Sequence, residues 1–215
     1  HNPVRLAKSL VTLDQLSGGR LTVGLSLGGT YLNETVVDAV PERRLPAFNE
    51  GLRLMQRLWT EEDFDFEGEF WTLRNATMDP KPVQSAGRGH MPIILGGGHR
   101  DAIRRSVRIA DGWMGGASMT VDVFKGHVAV VKEALEEYGR DPSTFTIAKK
   151  QFLALDDSVE RATQRMRDWA GHQIGDADLG ERGSLRGPSS LIAAGLQEIV
   201  DAGASLLVLN PVDDL

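Results

Sequence analysis

Apolar residues along this chain recur with two alternating periods. Residues 3–16 place Leu6, Leu10, Leu13 and Leu16 at helical spacing, and Ser17-Gly18-Gly19 then stops the helix. Residues 20–27 alternate apolar and polar positions, as a strand does, and end in Gly28-Gly29-Thr30. A second helix is predicted from about residue 42 to 59, its stripe formed by Leu45, Phe48, Leu52, Met55 and Leu58 or Trp59. Residues 64–71 alternate aromatic and acidic side chains around Gly68, which predicts a β-hairpin excursion near 64–73.

Beyond a Pro- and Gly-rich loop at 79–89, a short apolar run at 91–95 reads as a buried parallel strand. A regular alternation follows. Helices are expected at about 100–110, 121–138, 158–170 and 188–202, and strands at 112–115, 144–155 and 205–209, the last one buried. Asp157 or Ser158 is the expected N-cap of the third of these helices. Residues 171–187 hold five glycines and show no periodicity, which predicts a long loop able to act as a lid. Five parallel-type strands separated by helices demand an α/β fold. The pattern alone does not choose between an open doubly wound sheet and a (β/α)8 barrel.

Composition narrows the function classes. Thirty acidic against 24 basic residues give a net charge of -6, which offers no positive field for nucleic acid. No apolar run approaches the length of a membrane-spanning helix, so neither nucleic acid nor membrane is an expected partner. With no cysteine, a disulfide framework, a thiol nucleophile and a thiolate metal site are excluded. The chain opens on His1, and its native N-terminus is expected to lie further upstream.

The strongest chemical signal is residues 93–100, where Gly96-Gly97-Gly98-His99 leads from a strand into a helix. N–H groups at a helix start, unobstructed by Cβ atoms, suit an anion, with His99 or Arg100 adding charge; a tight turn is the alternative reading. Gly28-Gly29 also closes a strand, where ligands of α/β folds gather, and Asn33 and Glu34 follow as loop or site residues. Asp156-Asp157 and Asp213-Asp214 are better explained by capping and solvation than by a carboxylate site. The histidines His1, His90, His99, His127 and His172 show no metal-ligand spacing, so no metal is expected.

Several segments together carry a family resemblance. They are residues 2–8 (NPVRLAK), 13–21 (LDQLSGGRL), 58–60 (LWT), 66–71 (FEGEFW), 80–84 (PKPVQ), 92–97 (PIILGG), 110–113 (ADGW) and 201–204 (DAGA). The chain resembles the bacterial luciferase-like monooxygenases, including their deazaflavin-dependent branch. The resemblance implies one partial TIM-barrel domain over 1–215, lacking its first three strands and last helix. It also implies a cytoplasmic oxidoreductase acting on a small organic substrate by hydride transfer or oxygen activation.

Coenzyme F420 or FMN is the implied cofactor, held by Gly28, Gly29, Gly96, Gly97, Gly98 and His99. A flavin reductase would be a partner if FMN is used, and a homodimer is implied. Leu27 stands where the luciferases proper place an arginine for the FMN phosphate, which favours F420. Gly29 or Thr30 stands where some deazaflavin enzymes carry an acid, so no catalytic residue is carried over; His99 and Glu34 are candidates for mutation.

Overall fold

The computed structural model describes residues 1–28, 43–85 and 89–212. The chain divides into two compact units, residues 1–93 and 94–215. Asn33, Glu34, Asp213 and Asp214 lie outside the described residues, as do Gly29 and Thr30.

In the first unit, helix α1 spans Pro3–Ser17 and helix α2 spans Arg44–Thr60. Asn2 starts α1 by accepting the Val4 and Arg5 N–H groups, and Gly18 ends it with a left-handed φ of 65° that a Cβ would disfavour. The leucine stripe expected on α1 is only partly its inward face: Leu6 and Leu10 are half-buried, Leu13 and Leu16 are 51% and 80% exposed, and Ala7, Val11 and Asp14 are the buried positions. The reason is close approach. Trp59 of α2 donates its indole N–H to the Ala7 carbonyl at 3.2 Å, which the small side chain at position 7 permits. The buried Asp14 carboxylate is satisfied by Gln84, whose Nε2 donates to it at 2.8 Å and to the Leu21 carbonyl at 2.6 Å. Strand β1 is Val23–Leu25, and the Val23 N–H donates to the Pro92 carbonyl at 2.9 Å.

Strands β2 (Phe64–Glu67) and β3 (Thr72–Ala76) pair antiparallel, with Phe66 opposite Leu73 and Glu67 opposite Thr72. Their turn is held by Glu50 of α2, whose buried carboxylate accepts the N–H groups of Glu69, Phe70 and Trp71 at 2.8–2.9 Å. Burial pushes this carboxyl up, but the three N–H groups and nearby Arg53 outweigh it and hold its pKa below the ordinary value.

The second unit is built on parallel strands. They are β4 (Ile93–Gly96), β5 (Gly112–Gly115), β6 (Thr146–Leu155), β7 (Leu185–Gly187) and β8 (Leu206–Pro211). In register, Leu95 faces Trp113, Trp113 faces Ile147, and the long β6 also pairs with β8 (Lys149 with Leu207) and β7 (Leu153 with Leu185). Helices α3 (Arg100–Ile109), α4 (Val121–Glu137), α5 (Val159–Gln173), α6 (Ala177–Glu181) and α7 (Ser189–Asp201) alternate with them. Ile103, Val107, Trp113, Phe124, Val128, Val131, Leu135, Phe145 and Ile199 form the main core. Phe152, Ala154, Ala162 and Met166 form a second one under α5.

Two expectations are corrected here. Residues 171–187 are not without regular structure: they hold the end of α5, then α6 and β7. Polar residues that read as loop are ion partners, since Arg167 reaches both Asp178 and Glu181 at 2.7 Å, and Leu185 packs against the main core. The final strand is not buried, because Leu206, Val208 and Leu209 are 37–47% exposed. No described helix is long and apolar enough to cross a membrane.

Candidate functional site

Strand β4 delivers the three glycines to the start of α3. Gly96 is its last residue, and at Gly97 (φ 155°) an added Cβ would stand 2.8 Å from the Ala102 Cβ, so the backbone passes too close to α3 for any side chain. The Gly97 carbonyl accepts the Trp113 indole N–H at 2.7 Å. That bond fixes the turn to the core, because Trp113 is fully buried and stacked on Phe124 with centroids 5.7 Å apart.

His99 is the N-cap of α3. Its Nδ1 accepts the Asp101 N–H at 3.3 Å, and its side chain is otherwise exposed. Arg100 is not turned into the glycine turn; it pairs with Glu133 of α4 at 2.7 Å. First-turn N–H groups have no acceptor within the helix, so this turn offers donors and the positive end of the helix dipole to an anion. A Cβ placed on Gly98 would meet only His127 Cε1 at 3.8 Å and the Met119 methyl at 3.9 Å. His127 stands edge-on to Trp113, and its Nδ1 is buried with no hydrogen-bond partner among the described residues. Burial lowers its pKa, which favours the neutral ring. A backbone turn free of Cβ atoms at a helix start has the donors to receive an anion such as a phosphate.

Gly28 lies three residues past β1 with φ 80°, and nothing stands within 4 Å of where its Cβ would be. Asp156 is occupied otherwise: it binds Arg161 at 2.6 Å, Arg165 at 3.0 Å and the Ser158 N–H at 2.9 Å. Ser158, not Asp157, caps α5 by accepting the Arg161 N–H. Among the described residues no group of three His, Asp or Glu side chains is placed to hold a metal ion.

Strand β6 carries a buried cation that no sequence motif marks. Lys149 of β6 is fully buried, and its ammonium donates to the carbonyls of Gly116 (2.9 Å) and Lys150 (2.8 Å) and to Gln151 Oε1 (3.2 Å). Burial pulls it down to about 8. The signal lay in Lys149-Lys150 within an apolar strand: adjacent residues face opposite sides, so one of the two lysines must point inward.

The sequence profile of the luciferase-like monooxygenases matches residues 1–203. An uncharacterized protein of Mycobacterium tuberculosis, Rv0953c, is 34% identical over 79% of this chain and 56% of its own length. The F420-dependent glucose-6-phosphate dehydrogenase of Kineococcus radiotolerans is 26% identical over 98% of this chain and 68% of its own length. An FMNH(2)-dependent dimethylsulfone monooxygenase of Pseudomonas putida is 28% identical over 75% and 43%. The chain thus spans about half the length of the first of these relatives. Its fold is shared with an F420-dependent secondary alcohol dehydrogenase solved with an F420-acetone adduct. There the TM-score is 0.83 over 99% of this chain and 70% of that one, at 20% identity. An α/β fold of alternating parallel strands and helices and a profile match along nearly the whole sequence agree: the chain belongs to the luciferase-like monooxygenase family.

Proposed function

We propose that the protein is an oxidoreductase that uses coenzyme F420, or else FMN, on a small organic substrate, within a complete (β/α)8 barrel. The observation that carries this reading is the glycine turn at Gly96-Gly97-Gly98, which opens α3, is pinned by Trp113 and is approached by the His127 ring only through Cε1, 3.8 Å from where a Gly98 Cβ would stand. First-turn N–H groups of α3 and His99 would hold the coenzyme's phosphate. When bound, the coenzyme would supply the hydride or, as reduced FMN, the means of activating oxygen. The chain's own part is to bind, orient and exclude water.

F420 is favoured by Leu27, since an apolar side chain there provides no cation for an FMN phosphate. Both coenzymes figure among the relatives, F420 in the Kineococcus enzyme and reduced FMN in the Pseudomonas one. A flavin reductase partner belongs only to the FMN alternative. The test is a fluorescence titration of the full-length protein with F420 and FMN in parallel. Saturable F420 binding with weak FMN binding is expected. Preference for FMN would reverse the coenzyme assignment, and binding of neither would sink the reading.

A further inference from the structure

We propose that Lys149 and Gln151 are a positioning pair that holds the β5–α4 loop and the turn before β7 in place on the rim that carries the glycine turn. The inference rests on the coenzyme-binding reading for its functional half only.

The two side chains stand two residues apart on β6 and are both buried. Lys149 reaches the Gly116 carbonyl, which also accepts the Met119 N–H at 3.2 Å, so the loop between β5 and α4 closes on one doubly used oxygen. Gln151 takes the Lys149 ammonium on its Oε1, and its Nε2 donates to the Phe152 carbonyl at 3.2 Å and the Gly183 carbonyl at 2.5 Å. Loop and turn touch each other: a Cβ on Gly183 would stand 2.7 Å from the Met119 carbonyl oxygen and 2.8 Å from that of Ser118. The Met119 methyl in turn faces Gly98. One chain of contacts therefore runs from a buried ammonium through Gly116 and Met119 to the glycine turn, and through Gln151 to Gly183.

Among the described residues no counter-charge stands beside the ammonium. Its strand neighbours are Gly115 and Leu207, and Phe124 of α4 packs against Gly115 beside the lysine stem. The titratable group one turn further along α4 is His127, whose pKa is lowered, and Lys150 faces the opposite way with its ammonium 5.4 Å from the Phe152 ring centroid. An uncompensated buried ammonium is costly, so an opened loop regains hydration for it. The sign follows from burial. The closed state has the lower pKa, so deprotonation favours closure, and opening falls as pH rises from about 8 towards 10.5.

The experiment is hydrogen exchange on the full-length protein without coenzyme, from pH 7 to 10, corrected for the intrinsic rate, alongside coenzyme titration. At pH 10, where the penalty on the buried ammonium is largely relieved and its hydrogen bonds remain, exchange at residues 116–119 and 182–184 is expected to be about tenfold or more faster in Lys149→Met, and independently in Gln151→Leu, than in wild type, with Val128 and Val131 of α4 unchanged. The wild-type opening is expected to fall with pH above 8 and the Lys149→Met opening to stay flat. F420 affinity is expected to weaken by about tenfold in both variants. Unchanged local exchange in both, or a wild-type pH profile that Lys149→Met reproduces, overturns the positioning role. Faster exchange with unchanged F420 affinity overturns its functional half. If the wild type binds neither coenzyme, the coenzyme reading fails while the exchange result still decides the positioning of the loop.

Discussion

Replacing Glu50 by alanine removes one carboxylate and strands three N–H groups at once. In the structure Glu50 is 4% exposed, and its two carboxylate oxygens accept the N–H groups of Glu69, Phe70 and Trp71 at 2.8–2.9 Å. A hydrogen bond to a charged group contributes about 1.5–3 kcal/mol, and a buried donor left without a partner costs about 1–3 kcal/mol. Because the three donors sit in a surface turn, water reaches some of them after truncation, and the sum is discounted to about 3–5 kcal/mol. That is a large share of the roughly 5–15 kcal/mol that stabilises a domain.

The assay is urea unfolding of wild type, Glu50→Ala and Glu50→Gln, followed by tryptophan fluorescence; Trp71 in the turn and Trp59 on α2 report this unit directly. Glu50→Gln keeps an acceptor oxygen and the volume, so it is expected to lose less than the alanine variant. The pH dependence has a fixed sign. A carboxyl whose folded pKa is depressed contributes stability above its unfolded value near 4.3 and loses it as pH falls through the folded value. A loss below about 1 kcal/mol in Glu50→Ala, or a loss independent of pH between 7 and 3, would refute the assignment of the turn to this carboxylate.

Lys149 gives the opposite pH sign: folding lowers it to about 8 from 10.5, a penalty of about 3 kcal/mol at neutral pH that is relieved as pH rises from 8 to 10.5. The stability difference between wild type and Lys149→Met, from denaturant curves across that range, is expected to move in favour of wild type; a constant difference contradicts it. Gly97→Ala places a methyl 2.8 Å from the Ala102 Cβ, and displacing the turn is expected to weaken coenzyme binding by roughly tenfold, about 1.4 kcal/mol, read by the same fluorescence titration. An unchanged dissociation constant would remove Gly97 from the site. Ser158→Ala takes away the N-cap of α5 and is expected to cost about 1 kcal/mol, whereas Asp157→Ala leaves stability within about 0.5 kcal/mol; the reverse order would restore Asp157 as the cap.

Most of the element order was legible because helix and strand differ in period. The helix from 121 and the strand at 112–115 stand where the alternation puts them. Interior faces were less legible. On α1 Leu13 and Leu16 point out, Leu6 and Leu10 are half-buried and Ala7 points in, since the approach of Trp59 rewards a small side chain more than a large one. Residues 171–187 read as loop because glycine count and polarity are local measures, whereas α6 is held by ion pairs from Arg167 on another helix and β7 by pairing with β6.

By itself the sequence determined the α/β alternation, the turn at Gly96-Gly97-Gly98 and the family, because periods, glycines and motifs are properties of contiguous residues. Only the tertiary structure decided that Glu50 governs a hairpin about 20 residues away, that Trp113 pins Gly97, and that Lys149 rather than Lys150 is the buried cation. These depend on which backbone groups are brought within hydrogen-bond reach once water is excluded, and that proximity is set by packing between segments distant in sequence.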